Sequence, residues 1–353
     1  MYNDNFDCAI NNLEAFWERE DFGRPAMSIY APKNDNDYRK PYNLEEQWMD
    51  PDFRYNRFKY HCENSYFGGE FLPTYFVNFG PGSLSPCIGG SFELSPTTIW
   101  LDTKKIIEDW ENPPDFKLDR NSVIWQKTIE VTEKFLADKN MITSMTDLGG
   151  ICDIIASLRG TENLIYDLYD YPDEVKAAIN RIDDLWKEAF DELNAIISQK
   201  QEYFTSWIGI ASKKPWFPIQ CDFSAMLSPA LFEEFVLPSL VKHANHLPRS
   251  IYHLDGITEI PHLDMILDIE RLNGIQWVPG AGKPDVTSSE WFPLYKRIQE
   301  KGKNLVLLEA DPAGIENLLN NIDRKGVFIF AKTKNREEAD ELIKNSEKWS
   351  KSI

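Results

Sequence analysis

A histidine and an aspartate two residues apart, His253 and Asp255, end the apolar run Ser250-Ile251-Tyr252 and are followed at once by Gly256. Side chains at positions i and i+2 of a strand share a face, so the imidazole and the carboxylate should project together. The glycine then lets the chain turn sharply. An imidazole beside a carboxylate suits general acid–base work or one edge of a metal site. The C-terminal ends of strands are where α/β folds carry their chemistry. A buried histidine satisfied by a carboxylate is the other reading, and at this point both stand.

Eight short apolar runs can hold such a pair in place: 26–30, 74–77, 141–145, 203–207, 250–254, 274–278, 304–309 and 327–331. Between the later ones lie helical patterns at 121–140, 172–199, 228–245, 285–300, 312–321 and 335–349. The clearest is 172–199, where Val175, Ile179, Ile182, Trp186, Phe190, Leu193 and Ile197 step by three and four. Alternation of this kind implies parallel strands joined by right-handed crossovers. Eight of them predict a (β/α)8 TIM barrel, with 31–70 and 79–120 as an extended N-terminal portion covering one end. Phe217 to Cys221 reads as either a ninth strand or an extended loop. An open doubly wound sheet is the alternative, but no glycine-rich phosphate loop follows the first strand.

On a barrel, each strand's C-terminal end feeds one rim. That rim would gather Asp147, Trp207, His253, Asp255, Gln276, Trp277, Glu309 and Lys332, with Asp222 from a following loop. Acids, one imidazole, an amide, a lysine and two indoles describe a pocket for a small organic ligand. No metal is assigned. Zinc on His253 and Asp255, completed by Glu309 or Gln276, is the alternative, although Cys221 is the one thiol near the rim. No serine lies in a G-x-S-x-G elbow, and Cys221 beside Asp222 is a poor thiolate.

The formal charge of −19, from 38 basic and 57 acidic residues, argues against nucleic acid and anionic membrane surfaces. Five scattered cysteines without a C-x-x-C motif suit free thiols in a reducing compartment. No apolar run approaches a membrane span, and the first residues lack a signal peptide's basic start. The expected location is the cytoplasm.

Two further stretches carry a resemblance. Cys221-Asp222-Phe223-Ser224-Ala225-Met226-Leu227-Ser228-Pro229, with Phe232, Phe235 and Pro238, is one. Leu158-Arg159-Gly160-Thr161-Glu162, followed by Tyr171-Pro172-Asp173-Glu174-Val175, is the other. Both resemble the uroporphyrinogen decarboxylase superfamily, which also contains methyltransferases that move methyl groups to and from corrinoid proteins. Tyr252 to Gly256 and Ile275 to Gly280 are similar to a decarboxylase-like branch of it. The resemblance is good over about 140–350. It implies a single barrel domain over 1–353, with a divergent portion over 1–120 and a well-matched one over 121–353.

Departures narrow what it implies. The decarboxylases' Arg-Gln-Ala-Gly-Arg segment is reduced to Gly23-Arg24-Pro25, and their Gly-His-Gly is replaced by Ala331-Lys332-Thr333. With no arginine cluster, an eight-carboxylate porphyrinogen is not the expected substrate. Of the methyltransferases' His-x-Cys and later Cys, only His253 matches, and Asp255 replaces the first thiol. The resemblance then implies transfer of a methyl group from a small methylated amine or ether to a corrinoid protein. His253 would donate a proton, Asp255 orient it and Asp222 anchor charge, with Trp207, Gln276, Trp277, Glu309, Asp147 and Lys332 holding substrate. The corrinoid would arrive on the partner, with no tightly bound cofactor. A decarboxylase (lyase) acting on a small carboxylate and a non-catalytic ligand-binding relative are the alternatives.

Overall fold

A computed structural model describes residues 2–34, 36–101 and 104–350. Eleven strands occur: β1 (Ala26–Pro32), β2 (Ser65–Gly69), β3 (Thr74–Tyr75), β4 (Glu93–Leu94), β5 (Ile99–Trp100), β6 (Ile142–Thr143), β7 (Trp216–Gln220), β8 (Arg249–Asp255), β9 (Gly274–Val278), β10 (Asn304–Ala310) and β11 (Val327–Lys332). Seven form one sheet in the order β2-β1-β11-β10-β9-β8-β7. Every pairing in it is parallel except β1 with β2. β3 pairs in parallel with β6, and β4 with β5 antiparallel, as separate two-stranded sheets. The architecture is mixed α/β around a mostly parallel central sheet.

The expected strand over 203–207 is not one. There Phe204 makes an isolated bridge to Ser212, and the chain turns through Gly209 at φ 83°. Ile208, Ile210 and Ala211 are buried by this turn, so the apolar signal came from a loop folded inward. The strand is β7, which contains Pro218, in a stretch that read as either a ninth strand or an extended loop. β7 ends the row of seven, and an edge strand tolerates a residue without an N–H. The helix expected over 228–245 is broken into Pro229–Leu231, a π turn Phe232–Val236 and Leu237–His246. Pro238 lacks the N–H that an unbroken helix would send to Glu234.

Side-chain alternation splits the core in two. On β8, Tyr252 and Leu254 join the large cluster under the helices, as do Ile275 and Trp277 on β9 and Leu305 and Leu307 on β10. Ile251, Val306, Phe328 and Ala26 belong to a smaller cluster on the other face. That second face is closed at the strands' N-terminal ends by a helix that the pattern did not predict, Phe6–Trp17. Its Trp17 donates an N–H to the Ala211 carbonyl at 3.1 Å and meets Trp216 edge-on at 4.9 Å. Arg249, at the start of β8, stacks over the Trp17 ring and bonds Glu14 and Glu18. The residues that carry chemistry lie at the strands' opposite ends. The helix Phe6–Trp17, which lies outside the stretches 31–70 and 79–120 expected to cover one end, covers the end away from the residues that carry chemistry.

Among the described residues no helix is long and apolar enough to cross a membrane. Because Trp17 plugs the inner core, Trp17→Ala should cost about 3–5 kcal/mol of stability. Denaturant unfolding followed by circular dichroism measures it, and a loss under about 1 kcal/mol would show that this helix does not close the core.

Candidate active site

The parallel register places Gln220 beside His253 and His253 beside Gln276, so the three share the inner face near the ends of β7, β8 and β9. Nδ1 of His253 lies 2.6 Å from Oε1 of Gln276. An amide oxygen only accepts, so Nδ1 is the donor in this bond, and Nε2 is the nitrogen it leaves available to a ligand. Gln276 thus orients the ring, where Asp255 was the expected partner. Asp222 opens the short helix Asp222–Met226 that follows β7. Asp153, near the start of helix Ile151–Arg159, accepts the N–H of Phe223 at 2.7 Å and of Asp222 at 3.1 Å, which fixes that turn. As a result, one ligand atom each from Asp222, His253 and Asp255 lie within 4.8 Å of one another.

Carboxylates crowd this group. Burial pushes Asp147 up to about 6, with the Asp222 charge adding to it and the Gly149 N–H, 2.9 Å away, opposing it. Asp153 rises to about 7, first from burial and then from the Asp222 charge. Asp222 itself is pushed up by burial and Asp255, against the pull of His253. Glu259 rises furthest, to about 9, through burial and then Asp222. Its Oε2 accepts the Tyr252 hydroxyl at 3.2 Å and the Asp255 N–H at 3.3 Å, while Oε1 is buried without a partner. The loop carrying Asp147 is fixed by a glycine contact: a Cβ on Gly149, whose φ is +85°, would lie 2.5 Å from the Gly82 Cα.

Two carboxylates and one imidazole with a free lone pair can hold a divalent cation of zinc or manganese type. The Nδ1–H donated to a neighbouring acceptor is the usual support for a histidine ligand. The donor set therefore fits a metal.

The other expected site residues divide. A cavity of about 580 Å³ is bordered by His253, Asp255, Gln276, Trp207 and Glu309. Trp207 stands edge-on to the His253 ring at 5.0 Å, and its buried indole N–H has no partner among the described residues. Trp277 borders the cavity, but its ring is fully buried against Trp291 at 5.2 Å. Neighbouring residues of a strand face opposite ways, so Gln276 and Trp277 do not both reach the pocket with their side chains. Glu309 sits at the bulge of β10 with φ 55° and pairs with Lys332 at 2.7 Å, both exposed. Those two form a rim pair with each other, apart from His253.

Asp153 and Glu259 escaped the sequence reading. Asp153 acts on a turn 69 residues away and leaves no local signal. Glu259 had one: an acid four residues beyond Asp255, between Ile257 and Ile260.

Raised carboxyls bind protons in the folded state that they release when unfolded. Their contribution to the stability of the metal-free protein is therefore full below about pH 4 and is lost as pH rises through about 6, 7 and 9. Glu259→Gln should flatten the part of the decline between pH 7 and 9, as read by thermal melts across pH 5–9. Parallel curves for the two proteins would show that Glu259 is not held neutral.

No protein-family model matches the chain, and no curated protein matches it. Among solved structures it is similar to a methyltransferase from Methanosarcina mazei, with a TM-score of 0.59 at 12% identity, covering 96% of this chain and 98% of that one.

Proposed function

We propose that the chain is a methyltransferase that takes a methyl group from a small substrate and passes it to a corrinoid protein. The observation that carries this reading is the convergence of His253, Asp222 and Asp255 within 4.8 Å of one another, with His253 and Asp255 bordering a cavity sized for a small molecule. The likeness in fold to a methyltransferase supports it. We further propose that β1, β3, β6, β7, β8, β9, β10 and β11 are the eight strands of one (β/α)8 barrel of the uroporphyrinogen decarboxylase type, spanning the whole chain and working in the cytoplasm. The enclosed second core, plugged by Trp17, supports that arrangement.

His253, Asp222 and Asp255 would hold a divalent cation. Such an ion would supply Lewis acidity, stabilising the electron pair left on the heteroatom when the methyl group departs. The protein's own groups supply the rest. Gln276 fixes the orientation of the imidazole through Nδ1. Asp153 holds Asp222 in place through two backbone N–H groups. Trp207 walls one side of the His253 ring. Glu309 and Lys332 satisfy each other on the rim and leave the entrance open.

Incubation with zinc or manganese, reduced cobalamin and either methylated amines or methoxy compounds should yield methylcobalamin, seen by its absorbance. His253→Ala and Asp255→Ala should lower the rate by about a hundredfold or more, as loss of groups acting together does. Gln276→Ala, which frees the ring without removing it, should cost about tenfold. Absence of methylcobalamin with every substrate of both classes would overturn the proposal.

A further inference from the structure

A cavity of about 870 Å³ lies between the end of β1, the helix Pro51–Glu63 and residues 34 and 36–41. It shares no lining residue with the cavity at His253. Its sign is also opposite. In a chain with 19 more acids than bases, this wall collects Arg39, Lys40, Arg54 and Arg57. Arg39 is neutralised by Glu46, which it grips through two nitrogens at 3.0 and 2.6 Å. The other three have no ion-pair partner among the described residues, and the exposed Asp37 on the same wall pairs with none of them.

Arg54 is the telling one. It is 4% exposed, yet its guanidinium meets only neutral acceptors: the Tyr75 hydroxyl at 2.7 Å, the Trp48 carbonyl at 2.9 Å and the Asn78 carbonyl at 3.0 Å. A guanidinium has five N–H donors, so these three bonds leave two unspent. A buried charge without a counter-charge is costly, and a planar oxyanion is what a guanidinium fork matches best. The remaining walls are aromatic. Tyr30 and His61 are stacked at 5.5 Å and 12°, and Tyr38 packs against Tyr60 at 5.5 Å. Such faces favour a flat ring.

We propose that this cavity binds a planar aromatic ligand bearing an oxyanion, a carboxylate or phosphate ester, with Arg54 and Arg57 on the oxyanion and the ring against the tyrosine and histidine walls. This is a second site, independent of the methyl-transfer reading. Titration calorimetry on the full chain with benzoate, phenyl phosphate, inorganic phosphate and benzyl alcohol tests it. Either aryl anion, or both, should bind saturably, and whichever does so identifies the oxyanion. Benzyl alcohol and inorganic phosphate should each bind at least about tenfold more weakly, for want of charge or ring. Arg57→Ala and Lys40→Ala change exposed residues, so the fold should persist; each should weaken binding by about fivefold, and added salt should weaken it further. Asp255→Ala should leave binding unchanged. The proposal falls if neither aryl anion saturates by about 10 mM, or if the alcohol or inorganic phosphate binds equally well. It falls also if Arg57→Ala has no effect, or if Asp255→Ala abolishes binding, which would place the ligand beside His253.

Discussion

Negative charge at the ends of β7 and β8 is the constraint to which the rest of the structure answers. Asp147, Asp153, Asp222, Asp255 and Glu259 surround a single imidazole in a chain that already carries 19 excess negative charges. Like charges packed this closely in a partly dry pocket cannot all remain ionised. Backbone donors relieve some of the cost: Gly149 for Asp147, Asp222 and Phe223 for Asp153, Asp255 for Glu259. The remainder is met by protons or by a bound cation. These two solutions compete, because ligands must shed protons to bind a metal. Asp147, Asp153 and Glu259, which depress stability at high pH, all feel the charge of Asp222, which with Asp255 would hold such a cation.

Placement of that charge follows from strand periodicity. His253 and Asp255 face inward because Tyr252 and Leu254 face the helices, and Gln276 can reach His253 because the register sets them side by side. A one-residue slip of β9 would exchange Gln276 for Trp277 and bring an indole against the imidazole. The large apolar side chains under the helices therefore do more than fill the core. Their burial locks the register on which one 2.6 Å hydrogen bond depends. At the other end of the strands Trp17 and Arg249 close the inner face, so the polar ends alone open to the cavity.

Much of this was legible in the sequence, and the failures have identifiable causes. Strands β1, β8, β9, β10 and β11 announced themselves because each is a short apolar run bounded by polar turns. The i, i+2 spacing of His253 and Asp255 pointed to a shared face, and Asp222 was picked out on a loop expected to follow a strand. Residues 203–207 misled because a buried loop carries the same composition as a buried strand; only hydrogen bonding separates them. Phe217 to Cys221 stayed open between strand and loop, since nothing in a sequence says that Pro218 lies on an edge strand. Trp277 was included in the pocket beside Gln276, although alternation allows only one of two neighbours to point there. Asp153 was invisible because its partners are distant in the chain. Arg39, Arg54 and Arg57 are also scattered, and no cluster was expected; helix Pro51–Glu63 and the loop before it bring them together.

A continuous run of contacts joins the two cavities of opposite sign. Arg54 donates to the Asn78 carbonyl, the Asn78 side chain accepts the Gly80 N–H, and Gly82 packs against Gly149, whose N–H reaches Asp147. Contiguity of this kind is not coupling, which requires an element with two arrangements that both sites bias. The turn from Asn78 to Gly82 does not have that character. Gly80 and Gly82 are both held at positive φ, and the contact with Gly149 is too close for any side chain. Room for a second arrangement is absent where glycine meets glycine across 2.5 Å of would-be Cβ separation. The turn acts as a rigid spacer. It fixes an anion-seeking arginine on one side and an acid cluster on the other, and leaves each free to take its ligand without the other.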